Sequence, residues 1–137
     1  MSLSFERIAT EKAPKALGPY SQATSVDLTN SRLLFVSGQL PIIPETGKMI
    51  SGDIIAMTHQ ILDNLDTILK EGGSSMRSVL RVDVFMKDLN DFEAFNEVYG
   101  MRFTGPKYPA RQTVQVEKLP LDSPIEISCI AFQETGK

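Results

Sequence analysis

A chain of 137 residues with 42% apolar and 23% charged residues has the make-up of an ordinary soluble protein with one core to bury. Its 14 Lys and Arg stand against 17 Asp and Glu, a formal net charge of −3. That balance argues against a dedicated nucleic-acid binder, which neutralises many phosphates with basic side chains. Cys129 is the only cysteine and His59 the only histidine, so an intrachain disulfide is excluded and a structural zinc site lacks ligands.

No apolar run reaches the length of a transmembrane helix, and "MSLSFERIATEKAPK" lacks the charged-then-apolar layout of a signal peptide. A cytosolic protein is the expectation. Repeats, low-complexity tracts and linker-like stretches are absent from the sequence, so residues 1–137 are read as one domain.

In chain order, "LSFERIAT" (3–10) reads as a strand and "KALGPYSQA" (15–23) as an ordered turn punctuated by Gly18 and Pro19. Strands follow at 24–29 and 32–41, with Asn30-Ser31 between them as a hairpin turn, and "PETGK" (44–48) is a further turn. Asp53 is suited to cap a helix over 54–72 that stops at Gly72-Gly73. Ile54, Met57, Ile61, Leu62, Leu65, Ile68 and Leu69 recur along it at three- and four-residue spacing, with His59, Asp63, Asp66 and Lys70 opposite. "SVLRVDVFMKD" (78–88) alternates as a strand with Leu80, Val82, Val84 and Met86 on one face. A second helix over 90–103 carries Phe92, Phe95, Tyr99 and Phe103, and strands at 112–118 and 125–132 end the chain.

The order β-β-β-α-β-α-β-β predicts an α+β arrangement, one mixed sheet with both helices packed on a single face. Leu33, Phe35, Val79 and Phe85 then fall on the face left free, and an uncovered apolar patch of that kind predicts self-association.

Few residues suit nucleophilic chemistry. His59 lies on the polar face of its helix, and Cys129 shares a strand face with Ile127 and Ala131 like a small buried hydrophobe. "EGGSS" (71–75) reads as a helix stop, and no glycine-rich phosphate loop follows a strand. What remains is arginine and carboxylate. In "YPARQTVQVEKLP" (108–120), Val114 and Val116 point one way and Arg111, Thr113 and Gln115 the other. In "IEISCIAF" (125–132), Glu126 and Ser128 oppose Ile127 and Cys129. If the two strands lie close in the sheet, Arg111 and Glu126 share a face. An exposed ion pair is then the plain reading. The functional one is that the Arg111 fork grips a small carboxylate, through charge-assisted hydrogen bonds worth roughly 1.5–3 kcal/mol each. Gly38 in "SGQLP" permits a ligand to approach the backbone or marks a simple bulge, and Tyr20 in "GPYSQA" walls a pocket or packs in the core.

"APKALGPYSQA" (13–23), "FVSGQLP" (35–41), "VFMKDLNDFEAFNEVY" (84–99), "YPARQTVQVEKLP" (108–120) and "IEISCIA" (125–131) together resemble the RidA family, also called YjgF or endoribonuclease L-PSP, over residues 8–132. The resemblance implies a chorismate-mutase-like fold, a homotrimer with ligand clefts between subunits, and hydrolysis of reactive 2-imino acids or their enamines to 2-keto acids and ammonia. Such imines escape from pyridoxal-phosphate enzymes, and the family uses no metal or organic cofactor. It further implies that Arg111 binds the substrate carboxylate, that Glu126 holds or activates water, and that Tyr20, Gly38 and Asn96 line the cleft. Thr113 replaces the family's frequent Cys or Ser, which bears on substrate size, and Ser128 replaces the second acid of the I-E-I-E ending. Two rival functions remain: a non-catalytic module that binds small carboxylates such as keto acids, and the ribonuclease or translation inhibitor of the family's older label. Neither a membrane nor nucleic acid is expected as a partner.

Overall fold

The computed structural model describes residues 5–134. Strands β1 (Glu6–Ile8), β2 (Ala23–Asp27) and β3 (Ser31–Gln39) run antiparallel, followed by a short separate hairpin of β4 (Ile42–Ile43) and β5 (Lys48–Met49). Then come α1 (Ile54–Glu71), β6 (Val79–Met86), α2 (Phe92–Arg102), β7 (Ala110–Gln115) and β8 (Ile125–Glu134). A six-stranded mixed sheet has the order β1-β2-β3-β8-β6-β7. In it β8 lies antiparallel between β3 and β6, while β6 and β7 are parallel and α2 makes the crossover between them. The expected α+β arrangement holds. Of the strand expected over 3–10, residues 6–8 pair, and its first two lie outside the described residues. The β4–β5 hairpin was read only as a turn, because two-residue strands are too short to show alternation.

Helix α1 begins where Asp53 accepts a hydrogen bond from the Ala56 N–H at 3.0 Å. It ends with Gly73 N–H donating to Lys70 O and Ser74 N–H to Leu69 O, at 3.0 and 2.8 Å. Gly73 there has φ +78°, a conformation glycine adopts without steric cost. Between these ends Ile61, Leu62, Leu65, Ile68 and Leu69 are fully buried. Each such side chain contributes roughly 1.5–3 kcal/mol. Phe95, Val98 and Tyr99 of α2 join them against Leu34, Val36, Val82, Val84, Ile127 and Cys129 of the sheet.

Two bulges set which side chains face that layer. In β6, Val79 pairs with Ala131 but Arg81 with Ile130, so Leu80 is an extra residue. Leu80, expected on the core face, is therefore 46% exposed, and Val79, expected on the free face, is buried. The alternation visible in the sequence assumes one unbroken register, and the inserted residue inverts it. The second bulge lies in β3, between the Val36–Cys129 and Gln39–Ile127 pairs, and contains Gly38. On the sheet face away from the helices, Phe35 is 43% and Val114 38% exposed.

Buried amides tie the irregular segments to this frame. Gln22, which is buried, accepts from Thr10 N–H at 2.7 Å and donates to Thr10 O and Pro14 O at 3.0 and 2.7 Å. Ser37 N–H donates to Gln22 O at 2.9 Å and Ser37 Oγ to Ser21 O at 2.6 Å, which docks the segment bearing Tyr20 onto β3. On α1, buried Asn64 donates to Ile42 O at 2.9 Å and accepts from Gln60 Nε2 at 3.0 Å. Replacing Gln22 with Leu keeps the volume but leaves backbone groups without partners, at a cost of about 1–3 kcal/mol for each one buried. Gln22→Leu is expected to lower the unfolding free energy by about 2 kcal/mol, measured by urea denaturation. An unchanged midpoint at unchanged slope would show that the amide holds nothing.

Candidate active site

The parallel pairing of β6 with β7 places Arg111 opposite Val82 and Thr113 opposite Val84. Because both valines are fully buried under the helices, Arg111, Thr113 and Gln115 point to the helix-covered side of an edge strand. Helix α2 receives them. The Arg111 guanidinium carbon lies 4.5 Å from the Tyr99 ring centroid, 5.5 Å from Phe92 and 5.6 Å from Phe95. Arg111 Nη1 also donates to Asn96 Oδ1 at 2.8 Å. Gln115 Oε1 accepts from Leu89 N–H at 2.8 Å, at the turn into α2. The hydroxyls of Thr113 and Tyr99 are buried without a partner. Burial pushes the Tyr99 hydroxyl up to about 12, against the opposing pull of Arg111, so it stays neutral in the physiological range.

A second cluster lies on the other side of the sheet. Glu126 pairs across β8 with Phe85, which pairs in turn with exposed Val114, so its side chain is on the uncovered face. There it fills the space above Gly38: a Cβ on that glycine would lie 2.7 Å from Glu126 Cδ. Gly38 thus serves as a bulge and a close approach at once, and the group that approaches is a carboxylate of the same chain. Burial raises the Glu126 carboxyl above its ordinary value. Glu126 and Gly38 line a pocket of ≈ 390 Å³ with Leu17, Tyr20, Ser37, Leu40 and Pro120. Tyr20 is 47% exposed, so it walls the pocket and does not pack in the core; its hydroxyl accepts from Leu17 N–H at 3.0 Å.

Arg111 and Glu126 do not share a face, because the condition for it, that their strands lie close in the sheet, is not met. Strand β6 separates β7 from β8, and the pairings put the two side chains on opposite surfaces. The structure brings Arg111 to Asn96, with Thr113 next along its strand face, and Tyr20 to Gly38 and Glu126, as two separate clusters. Cys129 is buried and its thiol pushed up to about 12 by that burial, so it is no nucleophile. His59 Nδ1 lies 3.2 Å from Arg102 Nη1, which can only donate, and Arg102 Nη2 bonds Asp63 at 2.7 Å. Arg102 lines another cavity, of ≈ 370 Å³ with Arg77 and Lys107, but its charge is already met by Asp63. Sequence reasoning read Phe92, Phe95 and Tyr99 only as apolar positions of α2. The signal for their second role was their spacing around Asn96, on the helix turn that faces the arginine strand. Among the described residues no cluster of metal-ligating side chains occurs.

Residues 10–133 match the family model described as endoribonuclease L-PSP. The chain belongs to the endoribonuclease L-PSP family. A RutC family protein of Pyrococcus abyssi is 49% identical over 132 residues, covering 96% of this chain and 100% of its own. A mouse member named 2-iminobutanoate/2-iminopropanoate deaminase is 42% identical over 126 residues, covering 92% of this chain and 90% of its own. The crystal structure of a Thermotoga maritima protein described as an endoribonuclease superposes with a TM-score of 0.85 at 46% identity, covering 94% of this chain and 98% of that one. The sheet with both helices on one face is thus the L-PSP family fold, also that of Rid proteins.

In this L-PSP family chain the contact between Gly38 and Glu126 gives a direct test of the second cluster. The backbone of Gly38 lies outside the left-handed region, so an alanine is conformationally acceptable, and the atoms it meets are the far end of a flexible side chain. Gly38→Ala is expected to leave stability within about 1 kcal/mol of wild type while displacing the Glu126 carboxylate. A displacement near 1 Å can cost about 10²-fold in rate, to be read as kcat/KM in the imine-hydrolysis assay that tests the function proposed below, beside a urea titration. Full activity with full stability would show that the position of Glu126 is immaterial.

Proposed function

We propose that the protein hydrolyses reactive 2-imino acids, or their enamine tautomers, to 2-keto acids and ammonia, with 2-iminobutanoate and 2-iminopropanoate as substrates and without a metal or organic cofactor. The observation that carries this reading is the state of Arg111. Its guanidinium is held by aromatic faces and one neutral amide, leaving its charge available for a substrate carboxylate. The name of the mouse relative, an imine deaminase, supports the same chemistry.

The separation of the two clusters fits a cleft completed by a second copy. In a homotrimer, Arg111, Asn96 and Thr113 of one subunit would face Tyr20, Gly38 and Glu126 of the next. The exposed Phe35 and Val114 on the open sheet face supply apolar surface for that association.

In the proposed reaction Arg111 fixes the imine by its carboxylate, and Glu126 orients a water against C2. As the C2–O bond forms, the water passes one proton to Glu126, which hands it to the nitrogen as the C=N bond becomes a C–NH2 single bond. Glu126 then carries the remaining hydroxyl proton to that nitrogen, the C2=O bond closes as the C–N bond breaks, and ammonia leaves with Glu126 ionised again; one water enters and one ammonia departs. Imines hydrolyse readily unaided, so orientation plus acid–base help of typically 10²–10⁴-fold is sufficient. A covalent nucleophile is unnecessary, in keeping with the buried Cys129 thiol.

The reaction is tested by generating 2-iminobutanoate in situ with an amino-acid oxidase and following its loss. Wild type is expected to accelerate that loss, and Arg111→Ala to reduce kcat/KM by about 10²-fold or more. No acceleration by wild type, with 2-oxobutanoate still bound, would instead make the protein a carboxylate-binding module. The pH dependence follows from the burial of Glu126. A base whose pKa is raised is protonated, and rate is lost, at a higher pH than for a free glutamate as pH falls. The acid limb of kcat/KM, corrected for the uncatalysed rate, is expected above the pH at which a free glutamate would place it and absent in Glu126→Gln. A limb that persists unchanged in Glu126→Gln would assign it to another group.

A further inference from the structure

We propose that Phe92, Phe95 and Tyr99 form an aromatic seat that, with Asn96, holds the Arg111 guanidinium in its binding orientation before any ligand arrives, which makes Tyr99 and Phe92 positioning residues for substrate binding. The inference rests on the reading that Arg111 receives a carboxylate, and it adds how the arginine is kept ready to do so. Arg32, Arg81 and Arg102 show the usual way of holding an arginine: each has a carboxylate oxygen on its guanidinium. Among the described ion pairs none reaches Arg111, whose partners are three rings and the oxygen of a neutral amide.

The difference has a chemical consequence. A carboxylate occupies the N–H edge of the guanidinium, the edge a substrate carboxylate needs. An aromatic ring takes the flat face and leaves the edge open. Asn96 takes one N–H and so fixes rotation in the plane of the group, while the rings restrict motion out of it. The seat is built on one helix, since Phe92, Phe95, Asn96 and Tyr99 recur at three- and four-residue spacing and face β7 together. Its rings pack on one another, with centroids 6.2 Å apart for Phe92 and Phe95 and 5.6 Å for Phe95 and Tyr99. Tyr99 also stacks on Phe103 at 4.5 Å, which braces the ring nearest the guanidinium from behind. An arginine on an edge strand would otherwise sample many rotamers, and ligand binding would have to order them.

The test reads the arginine itself. In the ligand-free protein the Arg111 Nε–H resonance is expected to be moved by the ring currents away from its free-arginine position, and Tyr99→Phe, which keeps the ring, is expected to preserve that position. Tyr99→Leu is expected to return it toward the free value, to weaken 2-oxobutanoate binding roughly 3- to 30-fold, and to raise KM with little change in kcat, the pattern of lost uniform binding. Should Tyr99→Leu fail to fold, Phe92→Leu replaces it: Phe92 is only partly buried, and the same shift and weaker binding, smaller in size, are expected. A wild-type Nε–H at the free-arginine position, or a folded leucine variant with unchanged resonance and unchanged 2-oxobutanoate affinity, overturns the seat. A ring-shifted Arg111 in a protein without deaminase activity refutes the reaction and leaves the seat standing.

Discussion

An arginine that points to the helix-covered side of a sheet must exchange water for something else, and the site depends on what this chain supplies. Charge burial without a partner is prohibitive, and an acidic partner would consume the charge. Helix α2 offers ring faces and one amide oxygen, which stabilise the cation without neutralising it. The parallel β6–α2–β7 unit makes this geometry available, since the crossover lays α2 over the strand that begins just after Pro109. Gln115, binding the Leu89 N–H, ties the far end of that strand to the start of the helix region.

On the opposite surface a different constraint acts. The bulge in β3 and the absent side chain of Gly38 let the Glu126 carboxylate lie against the backbone, partly out of water, and that desolvation raises its pKa. One cluster therefore carries a positive charge in an aromatic setting, and the other a carboxylate whose pKa burial raises. Within one chain the sheet stands between them. Under the proposed trimer, the exposed apolar side chains of the open face would have a use beyond stability: association would supply each carboxylate pocket with an arginine it lacks.

The elements most legible in the sequence were those governed by local chemistry. Asp53 as a cap, Gly72-Gly73 as a stop and the apolar stripe of α1 each depend on residues within a few positions of one another. What escaped depends on distant pairing. Leu80 and Val79 exchange environments because β8 pairs with β6 through a bulge, which no alternation within 78–88 reveals. The shared face considered for Arg111 and Glu126 hung on the two strands lying close, but strands consecutive in sequence need not be neighbours, and here β6 lies between them. Gln22 and Asn64 drew no reading from the sequence, since their role as buried staples depends on the segments they bind, around Thr10 and Ile42.

The residues to which the family resemblance points fall in two groups. Tyr20, Gly38 and Glu126 do meet at one pocket, and Arg111, Asn96 and Thr113 do belong to one strand and the helix above it. The division into two groups is what a motif list cannot express, because motifs record residue types in order and not the sheet surface on which each falls. A reaction that asks only for a fixed carboxylate and one aimed water tolerates such a division, provided each half is rigid before the halves meet. Under the proposed assembly, the rings beside Arg111 and the close approach of Glu126 to Gly38 are what each half would bring from within its own chain. The demand on such an interface would then reduce to placing the two groups at the right separation, a task for shape and apolar contact and not for further catalytic side chains.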